Sequence, residues 1–286
     1  MNIRSLLAKL PFEALRYLPP VVAVVRLHGV IASGPAPLRG GLLNLATLAG
    51  TIERAFSLPG VKAVALAVNS PGGSPVQSAL IHDRIRQLAA EKKVPVFAFA
   101  EDVAASGGYW LALAADEIYA DANSIVGSIG VISAGFGFQD LIARFGIERR
   151  VHVQGDRKML LDPFRPERPE DVVRLERLQQ EIHQSFIDLV QARRRDKLVD
   201  PQANGLFSGD IFTGRRAVEL GLIDGIGDLR GTLRQRFGEK VKLKLIGGGG
   251  GWLRRRLGLA GSDGGDLASS VVAAAEARAL WSRYGL

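Results

Sequence analysis

Residues 61–73 read VKAVALAVNSPGG. The first eight are almost continuously Val, Ala and Leu, which describes a strand apolar on both faces, and Asn-Ser-Pro-Gly-Gly ends it in a turn. Val76–Leu88 follows with helical spacing, and Val94–Ala100 returns to a β-rich run. Strand, short turn, helix and strand in that order form a βα unit with parallel strands, and a strand apolar on both sides needs cover on both sides.

The pattern continues in both directions. Upstream, Val21–Leu27 reads as a buried strand, followed by a Gly- and Pro-rich loop and a helix around Leu42–Phe56. Downstream, a helix begins after Ser106, and short strands are expected at Glu117–Ala120 and Ile129–Ile132. Then come a helix beyond Phe138, a strand at Glu148–Val153 and a long charged helix from about Pro169 to Arg195. Along that helix Val172, Leu175, Leu178, Ile182, Phe186 and Leu189 recur every three or four residues, making one apolar face that needs a partner, either the sheet or another subunit. Helices at Gly214–Gly221 and Leu229–Phe237 and a strand at Val241–Ile246 close the domain. The fold class is α/β, with a mostly parallel sheet flanked by helices.

The 286 residues, 47% of them hydrophobic, suffice for one main domain with a small appendage. With no cysteine there is no disulfide, thiolate metal site or cysteine nucleophile. The net charge of +8 raises an anionic partner, nucleic acid or membrane surface. The basic residues are dispersed apart from Arg193–Arg195 and Arg254–Arg256, and no nucleic-acid module accompanies them, so no nucleic-acid partner is expected. Arg4, Lys9, Glu13 and Arg16 interrupt the amino terminus, which therefore reads as neither signal peptide nor transmembrane helix. Residues 1–18 form an amphipathic surface anchor or a docking segment. The glycines from Gly247 to Gly251 separate the 19–246 domain from a tail over 247–286, basic at first and Ala-rich later. The location expected from these features is cytoplasmic or peripheral to a membrane.

Chemistry gathers in three places. Gly72 and Gly73 end a strand, where open α/β sheets place their sites, and leave amides free to point at a ligand. Ser106 in EDVAASGGYW opens a helix beside the bare amide of Gly107; Gly73 and Gly107 together form a two-donor oxyanion hole, while the plainer alternative makes Ser106 an N-cap. A nucleophilic serine needs a base. His28, His82, His152 and His183 all lie in positions that suit structure or surface, and Lys158, between a predicted strand and an apolar triplet, has the form of an ordinary loop charge. A lysine serves as base once it is withdrawn from water, because desolvation disfavours the ammonium form.

Taken in order, NSPGG, DVAASGGYWLALAAD, IVGSIGV and GDRKMLLDPFRP resemble the S49 family of serine peptidases, the signal peptide peptidase A and SohB-like proteins, over most of residues 20–235. The resemblance implies a ClpP/crotonase-like spiral fold of repeated ββα units and a Ser/Lys dyad that needs no cofactor or metal. It makes Ser106 the nucleophile, Lys158 the general base, the Gly73 and Gly107 amides the oxyanion hole, and Ser128 the residue that orients the lysine. A single motif copy is similar to the short family forms, which assemble into homo-oligomeric rings whose neighbouring subunits contribute to one site. The implied substrates are hydrophobic or unfolded peptides such as signal-peptide remnants and membrane-protein fragments, and the chain departs from many members in lacking an amino-terminal span. Two alternatives stand beside this reading: a crotonase-type acyl-CoA enzyme, which would not need Ser106 or Lys158, and a catalytically silent, membrane-associated assembly protein.

Overall fold

The computed structural model describes residues 19–34, 42–155, 157–247, 275 and 278–285. The expected amino-terminal segment over 1–18 and nearly all of the Gly linker and basic tail lie outside the described residues.

The main sheet is built from β1 (Val21–His28), β4 (Val61–Ser70), β5 (Val96–Ala105), β6 (Glu117–Ala120), β9 (Gly225–Ile226) and β10 (Lys242–Ile246). Its order is β10-β1-β4-β5-β6-β9, and every pairing along it is parallel. The strand expected at VKAVALAV is β4, flanked on both sides and therefore inside the sheet. The carboxyl end of β5 pairs with β7 (Ile125–Gly127), which pairs antiparallel with β8 (Ile211–Thr213). A small parallel pair, β2 (Val30–Ile31) with β3 (Leu42–Leu43), lies beside the end of β4 and meets the turn there through a bridge between Ile31 and Gly73.

Three helices cover one face of the sheet. They are α1 (Leu45–Phe56), α2 (Pro75–Lys92) and α3 (Gly107–Ala112), and they share a core with Val25, Leu27, Val64, Leu66 and Ala98. Caps fix where the first two begin: the Asn44 side chain accepts from Thr47 N–H, and Ser74 accepts from Gln77 N–H just ahead of Pro75. The other face packs Val22, Val24, Ala63, Ala65, Phe97 and Phe99 against Leu233 of α7 (Leu229–Phe237). Short α4 (Gln139–Arg144) and α6 (Gly214–Glu219) lie on either side, in the chain, of the long α5 (Pro169–Arg194).

Helix α5 is bolted to the body at its carboxyl end. Phe186 stacks on Trp110 with ring centroids 4.8 Å apart, and Val190 is fully buried. Arg194 is buried and forms an ion pair with Asp224 at 2.8 Å, and Asp224 also receives Lys197 and the Ile118 N–H. Burial pushes the Asp224 carboxyl up, but the bonds from Arg194, Lys197 and Ile118 outweigh it and hold the group below the usual carboxylate range. Further up the helix the expected apolar face is half-buried at Val172 and Leu175 and exposed at Leu178 and Ile182, Leu178 being 50% exposed. The loop between β7 and α5 carries more exposed apolar side chains, among them Phe136 at 81% and Phe145 at 70%.

Three expected elements differ. The strand placed at Ile129–Ile132 lies instead at Ile125–Gly127, because Gly127 and Ser128 turn to positive φ and carry the chain off the sheet. Glu148–Val153 is irregular: its residues have no ladder partner among the described residues, and a lone strand is not stable without one. Leu42 and Leu43 belong to β3, so the helix begins only at Leu45. No helix among the described residues is long and apolar enough to cross a membrane.

Candidate active site

The site forms where the carboxyl ends of β4 and β5 meet the start of α3. Strand β5 ends at Ala105 and α3 starts at Gly107, so Ser106 alone makes the corner, with φ 53° and ψ −123°. For a residue with a Cβ this backbone costs on the order of 1–3 kcal/mol and persists only where the surroundings impose it. The surroundings here do so. The Ser106 N–H donates to the Gly127 carbonyl at 2.8 Å, the Ser106 carbonyl accepts from Trp110 N–H at 3.0 Å, and a Cβ placed on Gly72 would lie 2.7 Å from that of Ser106. The Ser106 side chain makes no capping hydrogen bond, which removes the N-cap reading.

Gly73 and Gly107 meet beside this corner. A Cβ built on Gly107 would lie 3.3 Å from the Gly73 nitrogen, and one built on Gly73 would lie 2.0 Å from the Ile31 carbonyl oxygen, so neither position has room for a side chain. Gly73 also has φ +140°. The turn is held by Ile31 N–H to the Gly72 carbonyl at 2.9 Å and by Ser74 N–H to the Ile31 carbonyl at 2.7 Å, a pattern that skips the Gly73 N–H. Among the described residues neither the Gly73 nor the Gly107 N–H has a backbone acceptor. Two unpaired amides next to a strained, unpaired hydroxyl suit a tetrahedral oxyanion. Asn69 secures the same strand ends: its side chain donates to Asp102 at 2.6 Å and accepts from Val103 N–H at 3.2 Å.

A cavity of about 600 Å³ opens over Ser106. Its walls include Gly73, Ser128, Val131, Ile132 and His183, with Leu280, Arg283 and Tyr284 of the carboxyl-terminal segment on one side. The structure thus brings together Ser106, Gly73, Gly107 and Ser128. Lys158 is not part of this wall; it lies exposed on the segment after Val153, and its side chain has no hydrogen bond or ion pair among the described residues. Past Ser128 the Val131 and Ile132 backbones likewise make no hydrogen bond among the described residues and leave an open edge along the cavity.

Of the four histidines, His28 faces Glu101 at 2.7 Å and His152 is exposed. His82 is buried on α2 with Nδ1 2.8 Å from Asp83, and burial pulls its pKa down against the opposing pull of Asp83. His183, which local sequence does not distinguish from other polar helix residues, reaches the cavity and places Nε2 3.0 Å from the Ile129 carbonyl. Leu280, Arg283 and Tyr284 were equally hidden in sequence, being more than 150 residues away from Ser106 in the chain. No cluster of His, Asp and Glu among the described residues is arranged to hold a metal ion.

Comparisons with known proteins fit this geometry. The profile of peptidase family S49 matches residues 88–244. The chain is 52% identical over 291 aligned residues to a Brucella abortus protein named Na(+)/H(+) antiporter NhaA, the match covering 99% of the chain and 39% of that protein. It is 34% identical to the chloroplastic serine protease SPPA of Arabidopsis thaliana, over 73% of the chain and 31% of that protein. It is also 34% identical to Protease 4 of Haemophilus influenzae, over 77% and 35%. The chain therefore spans well under half of these relatives. Among solved structures, a Lys-to-Ala variant of the 1510-N membrane-bound stomatin-specific protease, in complex with a substrate peptide, aligns over 84% of this chain and 97% of its own, with 15% identity and a TM-score of 0.50, a likeness of fold. The helix-flanked parallel sheet is the ClpP/crotonase-like architecture expected from the motifs. With a strained serine between two free amides and a family profile over more than half its length, the chain belongs to peptidase family S49.

Proposed function

We propose that this chain is a serine endopeptidase in which Ser106 attacks and Lys158, delivered by a neighbouring copy, is the base. The observation that carries the reading is the convergence of the Ser106 hydroxyl with the free Gly73 and Gly107 amides at one strained corner. Ser106 Oγ bonds to the scissile carbonyl carbon as its proton passes to Lys158 Nζ, and the two amides take the charge that develops on the carbonyl oxygen. The C–N bond then breaks, the leaving amine takes the proton from Lys158, and water hydrolyses the acyl-enzyme by the same route. Ser128, on the cavity wall, offers a hydroxyl that orients the Lys158 amine.

Delivery from a second copy is supported by the exposure of Lys158 and by the exposed apolar side chains Ile132, Phe136 and Phe145 on the same β7–α5 connection, which a folded monomer has reason to cover. Packing that arm against a neighbour withdraws Lys158 from water, the condition under which a lysine acts as base. The walls Pro71, Pro75, Val131, Ile132 and Leu280 suit apolar side chains, and the open edge at Val131–Ile132 suits an extended backbone that pairs by strand addition. Signal-peptide remnants and membrane-protein fragments meet both requirements. The relative named as an antiporter agrees with work at a membrane, with the chain lying peripherally on it.

The test is complementation. Ser106→Ala and Lys158→Ala each abolish hydrolysis of a hydrophobic peptide while leaving the fold intact. Mixing the two inactive variants through reversible dissociation restores about a quarter of wild-type activity, since random pairing gives one intact site in four when each site draws on two copies. A Lys158→Ala variant with full activity removes the dyad, and mixtures that stay inactive place both residues in one copy.

A further inference from the structure

Ile129 follows Ser128 directly and leads into the open edge at Val131–Ile132, so whatever fixes Ile129 fixes the line along which a substrate backbone pairs. Its side chain is fully buried. The Ser128 N–H donates to the Asp210 carbonyl at 2.7 Å, which ties the segment to the chain ahead of β8. Gly130 N–H bonds locally to the Ser128 carbonyl at 2.9 Å, and a tether comes from the opposite side: His183, in the middle of α5, donates from Nε2 to the Ile129 carbonyl at 3.0 Å. This bond is unusual for the helix. From Pro169 to Ala192, it is the one hydrogen bond among the described residues that joins α5 to the body rather than to itself.

We infer that His183 is a positioning residue for the substrate-pairing edge. It borders the same cavity as Ser106 and Ser128 without a hydrogen bond to either, so its effect passes through the Ile129 backbone. Nearby, α5 has little else to hold it: Leu178 and Ile182 are both exposed, and burial resumes only at Phe186. Without the imidazole bond the Ile129 carbonyl has no partner among the described residues, and the 129–132 segment keeps the Ile129 burial, the Ser128 N–H bond to Asp210 and the Gly130 N–H bond to the Ser128 carbonyl but loses its tie to α5. A small reagent that needs only Ser106 and the two amides does not depend on that line; an extended peptide does. The inference rests on the peptidase reading above and names the residue that aligns its substrate.

The test uses the full-length chain with His183→Ala and His183→Gln, the glutamine amide standing in for the Nε2–H donor. Two rates are read for each: labelling of Ser106 by a small fluorophosphonate, and steady-state cleavage of an extended hydrophobic peptide. Loss of one neutral hydrogen bond predicts that His183→Ala labels like wild type but loses about tenfold in kcat/KM on the peptide, mainly through KM. His183→Gln recovers most of the loss. Unchanged peptide kinetics in His183→Ala overturn the inference, as does a parallel fall in labelling and cleavage that glutamine does not repair, since that pattern describes general destabilisation. A wild-type chain that neither labels nor cleaves overturns the peptidase reading itself, and the His183 inference with it.

Discussion

Replacing Gly73 by alanine tests the site at its tightest point. The added Cβ would lie 2.0 Å from the Ile31 carbonyl oxygen, in a backbone conformation of φ +140° that side chains rarely adopt. No flexible side-chain end is available to give way, because the obstructing atom belongs to β2, itself anchored by Ile31 N–H to Gly72 and by Ser74 N–H to Ile31. The 71–73 turn must therefore move away from β2 and take the Gly73 N–H with it. Losing one oxyanion donor costs roughly 3 kcal/mol of barrier, or about 10²–10³ in kcat. The backbone strain removes a further ~1–3 kcal/mol of stability. Peptide hydrolysis under saturating substrate and a thermal melt separate the two effects. Gly50→Ala is the matched control: Gly50 lies inside α1 with nothing within 4 Å of an added methyl and no positive φ, so alanine there stabilises by about 0.5–1 kcal/mol and leaves kcat alone. A Gly73→Ala enzyme with normal kcat and an unshifted melt would refute the assignment of that amide.

Two further outcomes follow from buried and seated groups. His82 is neutral in the fold because burial lowers its pKa; below about pH 6.5 the unfolded chain takes up a proton that the folded chain refuses, so stability falls with pH from there down to the depressed folded value and is unaffected above. His82→Leu therefore narrows the difference in Tm between about pH 7.5 and pH 5.5, and an unchanged difference contradicts the assignment. Leu280, Arg283 and Tyr284 wall the cavity over Ser106, so deleting residues 275–286 raises kcat/KM for a long peptide several-fold if that wall must move before substrate enters. A fall in kcat/KM shows that these side chains contact the substrate instead.

Much of the fold was legible because its central strands are apolar on both faces and the helices α1, α2 and α7 begin at side-chain caps. Val61–Val68, Glu117–Ala120 and Leu229–Phe237 stand where their local pattern puts them. The failures occur where pairing is decided by distant residues. Ile129–Ile132 has the composition of a strand, but positive φ at Gly127 and Ser128 turns it out of the sheet, and Glu148–Val153 has β character with nothing to pair against among the described residues. The two-residue strands β2 and β3 are too short to leave a period. At the site, the meeting of Ser106 with Gly73 and Gly107 was legible because a small hydroxyl beside Gly-Gly has a local meaning. The converse holds for His183, whose role depends on a carbonyl 54 positions away, and for Lys158, which sequence motifs associate with Ser106 while the structure leaves it off the cavity wall.

The pairing of Ser106 with Lys158 is tested most directly by intact-mass spectrometry after incubation with a fluorophosphonate serine trap, comparing wild type, Ser106→Ala and Lys158→Ala as assembled protein. A single adduct on wild type that maps to Ser106 is expected, with none on Ser106→Ala and none on Lys158→Ala over the same time. Wild-type protein that is folded and assembled yet takes no adduct, or a Lys158→Ala variant labelled as fast as wild type, would contradict it.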